Sequence, residues 1–434
     1  MCSSKFLSVL VFAGAAVVIR ASDNIPAPKQ SVPVLLRGAT IHTVSGADVR
    51  GDLLFADGKI QTIGAKVAAP AGATVLDVTG KHIYPGLIAA SSGMGLTEIG
   101  AVRSTVDLAE TGLINPNVRA QPAINPDSEM IPVARTNGIL TVLSVPQTAG
   151  LIAGMSTLIR MDGWTWEDLT IRPTVALHVS WPRMAISRAP NSPSPAEDQQ
   201  RALDARITKL RDTFAAARAY LKAKEGAGKA IDVDARWEAM IPVLRGALPV
   251  FVQADEVKQI EAAVAWAKQE NLKITIVGGI DAWRVADLLK ARDVAVIVTS
   301  VTDLPLRRED AFDAAYANSA KLQAAGVRFC IANDGASNER NLPYWAGKAA
   351  AYGLPPAEAL KAVTLYPAQL LGVGGELGSI EAGKRATLIV TDGDPLEIPT
   401  KVEIAFIDGA RIDLGNRQTR LYEKYKKRYE QLKK

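Results

Sequence analysis

His82-Ile83-Tyr84-Pro85-Gly86-Leu87-Ile88-Ala89-Ala90-Ser91-Ser92-Gly93 is the stretch on which the reading of the fold turns. It is an apolar strand entered through Pro-Gly and ending in small polar residues. On its N-terminal side, residues 32–80 read as short strands with turn signals: VPVLLRGATIHTV, the Gly46-Ala47-Asp48 turn, a hairpin at Asp57-Gly58, and ATVLDVTG. The same character returns near the other end, at Gly378 to Val390 and Val402 to Asp413. Two β segments bracketing a longer middle predict one β unit made from both ends of the chain.

The middle alternates strands and helices, which predicts parallel strands with helical crossovers. Candidate strands after the first are Ile139 to Val145, Thr174 to Ser180, Val250 to Gln253, Lys273 to Val277, Val294 to Thr299 and Val327 to Ala332. Leu158 to Met161 reads as a further strand in an excursion. The clearest helix begins at Ser194-Pro195-Ala196-Glu197, a capping box with proline at the first helical position. Leu203, Ile207, Leu210, Phe214 and Leu221 form its buried stripe, and the expectation is a packing helix without chemistry.

Composition narrows the class. The 434 residues are 48% apolar, enough for a large domain plus a smaller one. Lys5, the apolar run from Phe6 to Ile19 and Ile19-Arg20-Ala21 read as a secretory signal peptide over residues 1–21, so the protein is expected to be exported, to a periplasm or beyond the cell. The run is shorter than the roughly 20 residues that a bilayer span needs. Cleavage after Ala21 would remove Cys2 and leave Cys330 as the sole thiol, with no internal disulfide. It would also remove Lys5 and Arg20, with no acid beside them, leaving +3 of the formal +5. No dense basic run with interleaved aromatics marks the body, and nucleic acid is not an expected partner. The excess is partly local, in the tail Arg417 to Lys434, where Tyr422, Tyr425, Tyr429 and Leu432 recur at helical spacing. A terminal helix packed on the body and a helix touching an anionic membrane surface both fit that pattern.

Gly353-Leu354-Pro355-Pro356-Ala357-Glu358-Ala359-Leu360, then Ala362-Val363-Thr364 and Tyr366-Pro367-Ala368, stand ahead of Gly378-Ser379-Ile380-Glu381-Ala382-Gly383-Lys384. With the Pro-Gly-Leu-Ile strand entry, these segments resemble the amidohydrolase superfamily, most of all its imidazolonepropionase-like branch, over roughly Val32 to Gln418. The resemblance implies an α/β fold: a (β/α)8 TIM-like barrel with a composite β-sandwich domain built from both chain ends. The sandwich would take residues 32–85 and 376–416, the barrel 86–375, and a basic helix 417–434. It also implies metal-dependent hydrolysis of non-peptide C–N bonds.

The ligands that the family uses for that metal are mostly replaced. Its first strand carries an aspartate and a His-x-His pair where this sequence has Ala89, Ser91 and Gly93, none of them a nitrogen ligand. The chain holds three histidines, His42, His82 and His178, and only His178 falls near a barrel strand end, roughly at the position of the family's bridging lysine. Gln253 replaces the fifth-strand histidine, a poor zinc ligand but an adequate donor and acceptor for a polar ligand. The sixth strand ends in Gly278-Gly279 and offers backbone only. Asp334 alone keeps the family's residue, the aspartate that takes a proton from metal-bound water in active members.

Magnitudes set the expectation. A catalytic metal lowers the pKa of bound water from 15.7 to about 7, on the order of 12 kcal/mol of hydroxide availability. A carboxylate base supplies roughly 3 to 5 kcal/mol. Asp334 therefore does not replace the metal. The expected role is a ligand-binding or scaffold pseudo-enzyme with no cofactor, using His178, Gln253 and Ser91 toward a small polar ligand, with Asp334 as the retained catalytic position. The alternative is a hydrolase with one divalent metal such as zinc at His178 and Asp334, or with Ser91 or Ser92 as nucleophile, His178 as base and Asp334 orienting it. Substrate and oligomeric state stay open.

Overall fold

The structure, a computed structural model, describes residues 24–147, 150–189, 191–226, 232–333 and 335–433. The expected signal peptide, Cys2 and Asp334 lie outside these residues.

The opening stretch divides at Gly86 into two strands serving two bodies, His82–Pro85 and Leu87–Ser92. A Cβ at Gly86 would stand 2.8 Å from Leu140 Cδ1, so only glycine lets the chain cross so close to the neighbouring strand. The first half belongs to an eight-stranded sheet in the order Ala410–Arg411, Val402–Ile407, Leu388–Thr391, His82–Pro85, Val34–Ile41, Val49–Ala56, Lys59–Gly64, with Thr74–Asp77 also on Val34–Ile41. Both ends of the chain thus meet in one hydrogen-bonded sheet, Ile83 opposite Val390 and Thr40 opposite His82. Leu36, Ile41, Phe55, Ile83, Leu388 and Phe406 fill its own core.

The second half opens the middle of the chain, a mixed α/β body of two sheets. One runs Thr170–Arg172, Thr157–Arg160, Ile139–Ser144, Leu87–Ser92. The other runs Phe329–Ile331, Ala295–Val298, Ile274–Gly278, Val250–Ala254, Leu177–Ser180, Ile152–Met155. Neighbours from Leu177–Ser180 to Phe329–Ile331 pair in parallel, as expected.

Residues 158–161 do not form an excursion. Ile152–Met155 and Thr157–Arg160 are one chain run, bent at Ser156, that pairs antiparallel with Leu177–Ser180 on one side and Ile139–Ser144 on the other. Ser156 N–H donates to Ala176 O at 3.1 Å and Val175 N–H to Ser156 O at 3.0 Å, carrying the hydrogen bonding across the bend. Across the other gap, Ile331 N–H donates to Ala362 O and Ile88 N–H to Val363 O. The run is buried on both faces, Ile152, Met155 and Ile159 toward the helices and Leu158 toward the opposite side, so periodicity does not separate it from a parallel strand.

Alternate residues of the strands build two layers. Ile88, Ala90, Leu143, Phe251, Val277, Ile297 and Cys330 pack together on one side. Leu87, Val142, Val250, Val252, Ile276 and Val296 pack with the helices on the other. The long helix Ala196–Gly226 buries Leu203, Leu210 and Phe214, while Ile207 and Leu221 are half-buried. Phe214 meets Trp266 edge-on with ring centroids 5.0 Å apart, and Trp266 lies 5.5 Å from Trp181. This aromatic trio ties the helix to the strand ends.

Candidate functional site

The inner layer ends, at the C-terminal tips of the strands, in polar residues. Two steps beyond Ala176 stands His178, and two beyond Phe251 stands Gln253. At the first strand, Ala89 pairs with Val142 but Ser92 with Ser144, three residues against two. This bulge turns both Ser91 and Ser92 to the same space. The structure therefore brings together Ser91, His178 and Gln253 in one pocket of about 240 Å³, with Ser92, Gln147, Ser180 and Val277 completing its wall.

Ser180 and Gln253 also line a wider cleft of about 1010 Å³, which makes the pocket its inner end. The cleft takes Trp181 and Arg183 from the segment after Leu177–Ser180, Asp255, Glu256 and Gln259 from the segment after Val250–Ala254, and Asp303 and Leu306 from the loop after Ala295–Val298. Asp198, Gln199, Leu203 and Arg206 come from the long helix, so this packing helix also walls the cleft. Its apolar stripe was legible and holds. Its polar N-terminal turns, which face the cleft, gave no periodic signal. Asp255 was also missed, although it stands only two residues beyond Gln253; Gln253 Nε2 donates to Asp255 Oδ2 at 3.4 Å.

His178 is the unusual group. It is buried edge-on against Phe251, ring centroids 5.4 Å apart, and burial lowers its pKa to about 3. The ring is neutral at physiological pH. Its Nε2 has no hydrogen-bond partner among the described residues. Neither serine hydroxyl thus bonds this nitrogen, and Ser92 Oγ accepts the Met94 N–H at 3.2 Å. A conjugate acid of pKa about 3 is a weak general base near neutrality, where a useful base titrates close to the working pH.

Among the described residues no group of three His, Cys, Asp or Glu side chains could hold an ion. The other two histidines are engaged in the terminal sheet: His42 Nε2 and His82 Nδ1 lie 2.9 Å apart in a hydrogen bond, and His42 Nδ1 meets Asp48 Oδ2 at 2.7 Å. That leaves His178 as the sole histidine in the pocket, beside hydroxyls and an amide, which are weak ligands for zinc. Cys330 is no substitute, since it is free and buried in the inner layer, where burial pushes its thiol pKa well up.

Comparison with known proteins agrees with the architecture. The amidohydrolase family model matches residues 253–412. A solved amidohydrolase from Thermotoga maritima superposes with a TM-score of 0.79 at 26% identity, over 88% of this chain and 99% of that one. These matches support the amidohydrolase superfamily. The amidohydrolase tasK of Hapsidospora irregularis is 24% identical over 433 residues, 87% of this chain but only 43% of that protein, so the chain spans less than half of this curated relative. Molinate hydrolase shares the fold at 14% identity, with a TM-score of 0.56 over 89% of this chain and 95% of its own. At the strand ends this chain has Ser91 and Gln253, side chains that donate and accept hydrogen bonds.

Proposed function

We propose that the two sheets of the middle form a TIM-like barrel whose mouth is a ligand-binding site, and that the metal-assisted hydrolysis associated with the superfamily is lost there. The ligand is a small polar molecule that brings an N–H or O–H donor to His178 Nε2, with Gln253 and Ser91 completing its recognition. One observation carries this reading: a buried neutral imidazole with an unpartnered nitrogen at the inner end of an open cleft. Leaving such a group unsatisfied costs about 1–3 kcal/mol, which a bound donor recovers.

The reading makes opposite demands on stability and binding. His178→Leu removes the unpartnered nitrogen, so the free protein is expected to match the parent or exceed it by about 1 kcal/mol in urea unfolding. The same change is expected to weaken binding of whichever small carboxamide or urea the parent retains in a calorimetric panel by roughly 10- to 100-fold. Loss of stability without loss of binding sinks the proposal.

Elemental analysis of the purified full chain separates this reading from a surviving hydrolase. Zinc, iron and manganese are expected well below one equivalent after dialysis. A stoichiometric, firmly held ion, together with turnover of the amide panel, would restore the hydrolase reading.

A further inference from the structure

The helix Arg417–Leu432 is the least covered element of the molecule: none of its residues is buried, and every position from 417 to 433 is exposed. It is rooted firmly at one end. Asn416, itself buried, accepts the Thr419 N–H at 3.0 Å as a cap and donates to Thr136 Oγ1 at 2.9 Å, and Thr136 Oγ1 donates in turn to Leu414 O. Beyond that root, among the described residues, the helix makes one ion pair, Arg420 to Glu129 at 3.8 Å. The whole helix spans about 24 Å at 1.5 Å per residue.

At about 100° per residue, Leu421, Leu432, Tyr425, Tyr429 and Tyr422 all fall within an arc of about 100°. Their exposures run from 40% to 69%, an exposed apolar stripe interrupted only by Gln418 in the first turn. Charge is arranged around that stripe with a definite sense. On the same wheel Arg417, Lys424 and Arg428 border it on one side and Lys426 and Lys433 on the other, while both acids, Glu423 and Glu430, fall on the far side of the helix together with Arg420 and Lys427. Residues 417–434 hold eight Lys or Arg against two Glu, a net +6, whereas the whole chain carries +5; residues 1–416 together therefore carry −1. The net positive charge of the chain is thus concentrated in this one projecting element.

We propose that this helix lies on an anionic bilayer surface. The stripe inserts Tyr and Leu at headgroup depth, the bordering Lys and Arg side chains reach lipid phosphates along their aliphatic stems, and the two Glu face water. An apolar stripe alone would accept many partners; cations on both borders, with no acid beside the stripe, match a plane of negative charge. The root fixes the orientation. Thr136 immediately precedes the strand Ile139–Ser144, at the N-terminal ends of the strands, while the cleft opens at their C-terminal tips. Docking by the tail leaves the cleft facing solution, and the proposal stands independently of what the cleft binds.

Co-sedimentation of the full chain with phosphatidylcholine vesicles, with and without phosphatidylglycerol, tests this. Binding is expected to the anionic vesicles alone and to be lost at about 1 M salt, where screening acts within about 3 Å. Each cation near the surface strengthens binding about fivefold, so the triple change Lys424→Gln, Lys426→Gln, Arg428→Gln is expected to weaken it on the order of 100-fold. Tyr422→Ser with Tyr425→Ser and Tyr429→Ser is expected to release it as well. All six positions are exposed, so unfolding does not confound the result. Equal binding to neutral vesicles, no binding to either, or a self-association in solution that the tyrosine changes abolish overturns the proposal; the last outcome assigns the stripe to a second copy of the chain.

Discussion

Asp162→Ala is expected to destabilise the protein by about 3–5 kcal/mol, whereas Arg135→Met combined with Asp162→Leu is expected to leave stability within about 1 kcal/mol of the parent or to raise it. Arg135 ends the helix Met130–Arg135 and is fully buried; its guanidinium meets Asp162 Oδ1 at 2.6 Å and also donates to Met161 O and to Asn24. Asp162 Oδ2 accepts the Ala27 N–H at 2.8 Å. Burial is the leading influence on both partners, lowering the Arg135 pKa and raising that of Asp162 against their mutual attraction. The pair is therefore held at a desolvation penalty, and removing one member strands the other charge. A raised carboxyl pKa has a definite sign: the folded protein holds the proton more tightly than the unfolded chain, so this group's contribution falls as pH rises through the window just above its ordinary value. The double replacement should remove that part of the pH dependence. Urea titrations of the parent, the single and the double replacement, at pH 4 and pH 7, measure all of this. Equal losses from the single and double replacements would show that the pair acts by packing and not by charge.

The pair also marks where the sequence was hardest to read. Asp162 closes the antiparallel run Ile152–Arg160, which occupies the wall between two parallel strands. A strand buried on both faces looks the same in a sequence whichever way it runs, because direction is set by its neighbours and not by its own alternation. The Pro-Gly entry was legible for the opposite reason: Gly86 is required by contact with Leu140, and such a constraint leaves a residue type behind. His178, Ser91 and Gln253 were legible as a set because they end strands whose apolar runs could be aligned, and the structure places them in one pocket. The remainder of the cleft was not, since Asp198 and Arg206 reach it from the outer helix and Asp303 from an irregular loop. Long-range placement of that kind has no period in the sequence. Asp334, the position on which most of the catalytic expectation rested, lies outside the described residues.

Gly278→Ala is expected to cost about 2–5 kcal/mol and to abolish ligand binding in the protein that remains folded. Gly278 ends the strand Ile274–Gly278 with φ +94°, a left-handed backbone in which a side chain costs about 1–2 kcal/mol. A Cβ there would stand 2.1 Å from Asp255 Oδ1 and 2.7 Å from Gln253 Nε2, so both side chains would have to move, an overpacking worth about 1–3 kcal/mol more. Gln253 lines both the inner pocket and the outer cleft and Asp255 lines the cleft, and their 3.4 Å contact is the first casualty of any such shift. The contributions separate by a second replacement. Asp255→Ala in the Gly278→Ala background removes the worst clash while the backbone penalty stays, so stability should recover in part. Binding should not, because the amide of Gln253 is still displaced. Urea unfolding and calorimetry of the two variants decide it: a Gly278→Ala protein as stable as the parent, and binding as well, would mean that the backbone at this strand end yields freely and that Gln253 is not held in place for a ligand.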